Sequence, residues 1–146
     1  MNVGEICTKS AITVSPVTSL DEVARLMVAE DIGTVVVTKS PLDAPVVVGI
    51  VTDRDIVRAQ FRRAAPLAAL HAEDAMTLDP LVVSEDESIA TAIGQMQARR
   101  VRRAPVIDAR GRLSGLVSAD DLLAQVSGEL TDLARLVGAH AREAHQ

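Results

Sequence analysis

The chain has 146 residues, 48% apolar and 24% charged, an ordinary globular composition that fits one compact domain or a fused pair of small ones. Its net charge of -5 repels nucleic acid, its single cysteine, Cys7, excludes an intrachain disulfide or a cysteine metal cluster, and no apolar run is long enough to span a membrane. With no Trp, no Tyr and one Phe, Phe61, it offers no aromatic platform for single-stranded nucleic acid, so a ring-shaped ligand must lie between aliphatic side chains.

In chain order, the N-terminus, with Glu5 close behind Met1, lacks the pattern of a signal peptide, so a cytoplasmic protein is expected. A short strand over Ile12–Val14 leads into a helix opened by Ser19 and Glu22, spaced as a capping box. Leu20, Val23, Ala24, Met27 and Val28 follow at the spacing of a buried helical face. Strands over Thr34–Val37 and Val46–Val51 come next, joined through a turn carrying Pro41, Asp43 and Pro45. A helix then starts at Thr52 and carries Ile56 and Val57.

The same series returns in the second half, and such internal duplication decides the architecture. Ile12–Ser15 falls on Leu81–Ser84, Ser19–Leu20 on Ser88–Ile89, Met27 on Met96 and Val36–Val37 on Pro105–Val106. The register then shortens, and Gly49–Thr52 falls on Gly115–Ser118 and Asp55 on Asp121. Ile89, Ala92, Ile93 and Met96 mark the second helical face, and strands run over Ala104–Ile107 and Leu113–Val117. Their hairpin turns through Asp108–Gly111, where Gly111 supplies a positive φ. A last helix starts at Ser118 with Leu122 and Leu123. The chain therefore divides into residues 1–65, residues 66–127 and a tail, 128–146, where Leu130, Leu133, Ala134 and Val137 form one more amphipathic helix before a frayed end from Ala141. Each unit is β-α-β-β-α and too small to bury both faces of its sheet alone. The expected fold is α+β, two such units about a pseudo-twofold axis.

Two stretches carry a resemblance: Gly49-Ile50-Val51-Thr52-Asp53-Arg54-Asp55 and Gly115-Leu116-Val117-Ser118-Ala119-Asp120-Asp121. Tandem units ending in this turn resemble a pair of CBS domains, a Bateman module. The opening segments Glu5–Thr8 and Asp74–Thr77, and Arg103–Val106, resemble the family as well, and the likeness covers roughly residues 3–126. The resemblance implies clefts that hold adenosine nucleotides or related ligands such as S-adenosylmethionine, with the aspartate on the ribose hydroxyls and the Ser/Thr and basic groups on phosphate. Carried to this chain, it points to Thr52 and Asp55 for one site and Ser118 and Asp121 for the other. A carboxylate accepts both hydrogens of a cis-diol through charge-assisted bonds, and a hydroxyl at a helix N-terminus suits a phosphate. Val14 and Ile50, with their repeat partners Val83 and Leu116, are the expected aliphatic walls. The resemblance also implies a homodimer, an adenine nucleotide as regulatory ligand with no required cofactor, and output through a separate effector protein.

The same residues admit plainer readings. Thr52-x-x-Asp55 and Ser118-x-x-Asp121 are also ordinary helix N-caps, and capping is compatible with binding. Arg99, Arg100, Arg102 and Arg103 form a basic run of the kind that commonly stays solvated, but it lies at the start of a strand in an acidic protein. Arg102 and Arg103 are the phosphate candidates there. Gly33 and Thr34 stand at their positions in the first repeat, so the two clefts should differ, with Arg54 partly compensating where the second repeat has Ala119. Met27 and Met96 read as core, Cys7 as inert, and His71, His140 and His145 lack metal-ligand spacing. No nucleophile and base arrangement, P-loop or dinucleotide fingerprint accompanies the acids, which disfavours catalysis. The competing class is a dimerisation or docking protein with vestigial clefts.

Overall fold

The computed structural model describes residues 1–40 and 44–144. It contains two sheets. The first holds β1 (Thr13–Val14), β2 (Thr34–Lys39), β3 (Val46–Thr52) and β4 (Thr77–Leu78) in that order, and the second holds β5 (Val83–Ser84), β6 (Arg103–Ile107) and β7 (Leu113–Ser118). In each, the first strand runs parallel to the second and the second antiparallel to the third, with an irregularity after Val37 and again after Val106. The duplication read from the sequence is therefore a duplication of topology. The expected turn around Pro41 and Asp43 lies outside the described residues, as do His145 and Gln146.

Helices α2 (Leu20–Glu30) and α3 (Asp53–Arg63) belong to the first unit, α5 (Ile89–Arg99) and α6 (Ala119–Ala144) to the second. Ser19 Oγ accepts the Glu22 N–H at 3.2 Å, the serine half of the expected capping box, and Ser88 caps α5 on Thr91 N in the same way. The Asp108–Gly111 turn forms as expected, with Gly111 at φ +78°. Val28 and Ile93 depart from the expected faces: both are exposed, because the short sheets cover only the stripes of Leu20, Val23 and Met27, and of Ala92 and Met96. The tail also differs. It is no separate helix but the continuation of α6.

Strand alternation sorts the core. Val35, Val37 and Val51 face α2 and α3, and Ala104, Val106 and Val117 face α5 and α6. Val36 and Pro105 belong to neither cluster yet are fully buried, so each sheet has a second covered face on its far side. The hairpins of the two units meet where Leu113 N–H donates to Pro45 O at 3.0 Å.

The opening segments are exchanged. Helix α1 (Val3–Ile6) and Cys7 pack into the second core, with Thr8 and Leu116 sharing reciprocal backbone hydrogen bonds of 2.9 Å. Helix α4 (Ala72–Ala75) and β4 close the first unit, where Thr77 and Leu78 pair with Ile50 and Gly49. The glycine of each repeated turn makes this possible. A Cβ on Gly49 would lie 2.6 Å from Met76 Sδ, and one on Gly115 2.6 Å from the Thr8 carbonyl oxygen. Glycine stands there because a crossing segment passes directly over it.

Candidate functional site

Both repeated turns end strands and start helices. Thr52 Oγ1 accepts the Asp55 N–H at 3.2 Å while Asp55 Oδ2 accepts the Thr52 N–H at 2.9 Å, a closed capping box. Ser118 and Asp121 make the same pair, at 3.1 and 3.0 Å. The capping reading is therefore fact. Each box engages one carboxylate oxygen, and the other oxygen remains to accept from a ligand hydroxyl.

The helix starts are stitched to the strand in front. Asp53 N–H donates to Gly33 O at 3.0 Å, and Ala119 N–H donates to Arg102 O at 2.7 Å. Strand register sets Thr34 opposite Thr52 and Arg103 opposite Ser118, so the arginine enters the second turn from the neighbouring strand. Arg102 lies 3.7 Å from Asp120, both side chains about three-quarters exposed, a loose pair of little energetic weight. Arg54 is exposed on the first turn of α3. Thr34 is buried, and its Oγ1 has no partner.

The aliphatic walls divide. Ile50 and Leu116 are partly buried, on the faces opposite Val51 and Val117. Val14 and Val83 correct the expectation: both side chains lie in the helix-side cores, because strand alternation turns them inward, and they line no open face.

A polar groove of about 410 Å³ opens beside Asp55, and sequence reasoning missed most of it. Asp55, Arg58, Arg62 and Arg63 line it from α3, Asp74 and Thr77 from the exchanged segment. Arg63 pairs with Asp74 at 3.3 Å, and the same carboxylate caps α4 on His71 N at 2.8 Å. Arg58 and Arg62 make no ion pair among the described residues. The signal was in the sequence: Arg58 and Arg62 are one helical turn apart and follow Asp55 on its own face. The repeat equivalents are Ala124 and Gly128, so the second turn relies on Arg102 and Arg103 instead. The two units therefore present cations from different elements. An apolar groove of about 360 Å³ lies elsewhere, between α5 and α6, lined by Ile93, Met96, Leu122, Leu123 and Val126 among others. No described helix is long and apolar enough to cross a membrane, and the described residues hold no group of three or more His, Cys, Asp or Glu placed to hold a metal ion.

The family model described as the CBS domain matches twice, over residues 3–62 and 72–128. An uncharacterized protein of Methanopyrus kandleri is 32% identical over 123 residues, 84% of this chain and 61% of its own length. The chain thus spans less than two-thirds of that relative. The inosine-5'-monophosphate dehydrogenase of Methanocaldococcus jannaschii is 31% identical over 119 residues, 82% of this chain but 22% of that enzyme. Among solved structures, CBSX2 of Arabidopsis thaliana in complex with AMP superposes with a TM-score of 0.73 at 26% identity, covering 87% of this chain and 96% of that one.

Proposed function

This chain belongs to the CBS-domain family, and we propose that it is a regulatory module that binds an adenosine nucleotide and carries out no chemistry of its own. One observation carries the reading. Asp55, fixed by its helix cap with an oxygen to spare, stands in the same groove as Arg58, Arg62 and Arg63. A rigid acceptor for a ribose diol and a row of cations for phosphate are the two chemistries a nucleotide needs from a protein. The AMP complex of CBSX2 supports the ligand class. Asp121 with Arg103 beside Ser118 forms the second, differently charged site, and Ile50 and Leu116 supply apolar surface for the base. The module pairs as a homodimer, supported by the exposed helical residues Val28, Val57 and Phe61, and passes its state to a separate effector protein.

Calorimetry with adenosine, AMP, ATP and S-adenosylmethionine tests the reading. Asp55→Ala removes a charge-assisted acceptor, and AMP affinity should fall roughly 10- to 150-fold. Arg58→Ala/Arg62→Ala should erase discrimination between adenosine and AMP. Because the chain has no Trp or Tyr, an adenine band in the filtrate of denatured protein reports any nucleotide carried through purification. No response to any adenine compound would overturn the sensor and favour the docking protein, the reading supported by the fact that both motif carboxylates already serve as caps.

A further inference from the structure

Helix α6 runs 26 residues, and its second half leaves the body of the fold. The family match ends at residue 128, so most of that half belongs to no CBS unit. Residues 126–137 are all exposed, a run that includes four large apolar side chains on one face of the helix. Leu123, Val126, Leu130, Leu133 and Val137 recur at alternating spacings of three and four, the seam of a coiled coil. Leu130 is 65% exposed and Val137 61%. A helix this bare is marginal in water, and Gly128 and Gly138 within it weaken it further. Its seam runs without a break into the apolar groove between α5 and α6, where Leu123 and Val126 belong to both.

We propose that a second copy of this chain covers the seam, with the two α6 helices antiparallel. The proposal rests on the homodimer reading above and names its surface. Two observations select the occupant and its direction. The first is charge. The first half of α6 carries Asp120, Asp121 and Glu129 and no cation, while the second carries Arg135 and Arg142 against Asp132 and Glu143, so a parallel copy sets acid against acid while an antiparallel copy sets the acidic half against the half that carries the arginines. The second is the groove. Antiparallel pairing sets Leu130 opposite Leu133 of the partner subunit and Val126 opposite Val137 of the partner subunit. The end of each α6 then lies over the α5–α6 groove of the other chain and covers Ile93. In a parallel pair groove would face groove, and neither would be filled. The antiparallel contact is self-complementary and closes with two copies.

Light scattering on the eluting protein should give the mass of two chains, and Leu130→Glu/Leu133→Glu should halve it with the circular dichroism of the remaining fold retained. Thr131→Glu, on the outer face, should leave the dimer intact. Val126→Cys and Val137→Cys, mixed after subunit exchange and oxidised, should form a disulfide-linked dimer that neither gives alone. A one-chain mass for the wild type overturns this proposal and the homodimer together. A Leu130→Glu/Leu133→Glu variant that stays dimeric overturns the α6 seam alone and moves the pairing to the face of Val57 and Phe61. Val126→Cys linking to itself overturns the antiparallel arrangement.

Discussion

Replacing Gly115 with alanine tests how tightly the exchanged segment is held. The new Cβ would sit 2.6 Å from the Thr8 carbonyl oxygen and 2.8 Å from Cys7 Sγ, well inside contact distance. The carbonyl is backbone and is fixed by the Thr8–Leu116 hydrogen bonds, so the strain must move the whole opening segment. Overpacking of this kind costs about 1–3 kcal/mol. Losing the two hydrogen bonds adds about 1 kcal/mol each. The expected loss is about 3–5 kcal/mol, and at roughly 2–4 °C per kcal/mol for a chain of this size the melting temperature falls by roughly 6–20 °C. Gly49→Ala is the internal control. Its Cβ would meet Met76 Sδ at 2.6 Å and Met76 Cβ at 3.1 Å; the sulfur can swing away and the Cβ needs to give by only a few tenths of an ångström, so the cost should stay below that of Gly115→Ala. Urea denaturation of both variants, with amide exchange at Gly4 and Thr8, measures the difference. Equal destabilisation by the two substitutions, or unchanged exchange at Gly4 and Thr8 in Gly115→Ala, would refute the account of why glycine occupies these positions.

Asp108 holds the second hairpin turn, and the Arg112 and Arg110 backbone N–H groups with the Arg112 side chain keep its carboxyl below the usual aspartate range. A depressed carboxyl stabilises above its unfolded pKa and loses that contribution as pH falls through the folded value. Thermal melts of the wild type should therefore weaken with acidification below pH ~4, and Asp108→Asn should show a shallower acid limb. Thr34 Oγ1 is buried without a partner, so Thr34→Val should raise stability by about 1 kcal/mol or more in chemical denaturation; a fall would mean the hydroxyl is satisfied.

The repeat, the succession of elements in each unit and both helix caps were legible because each rests on local chemistry: turn residues, runs of Val and Ile, and a hydroxyl three positions before a carboxylate. Val28 and Ile93 misled because periodicity reports an apolar stripe but not the width of the sheet that covers it. Val14 and Val83 misled because alternation fixes opposite faces without saying which one faces the helices. Arg58 and Arg62 drew no reading from the sequence, because exposed helical charges commonly stay solvated and the other wall of their groove, Asp74 and Thr77, comes from the exchanged segment. Gly128 stood where the tail was expected to separate, yet one glycine costs a helix only about 1 kcal/mol and α6 runs through it. Aligning the two openings showed that they are equivalent. It gave no sign that each completes the other unit, because that depends on a path through space.

That path orders events during synthesis. As the chain leaves the ribosome, Val3 and Cys7 have nowhere to dock until Leu116 and Val117 have been made, while the first sheet waits only for Thr77 and Leu78. Val3 and Cys7 thus settle later than the sheet that follows them in sequence, and the first unit closes on sequence borrowed from beyond its own last helix. Closing so long a loop adds little entropy over a short one, since the penalty grows only with the logarithm of length. The consequence lies in timing. A pause in translation after Leu78 has emerged and before Leu116 has done so leaves a finished first sheet with the segment around Val3 and Cys7 still exposed, which is the moment when a chaperone has most to protect.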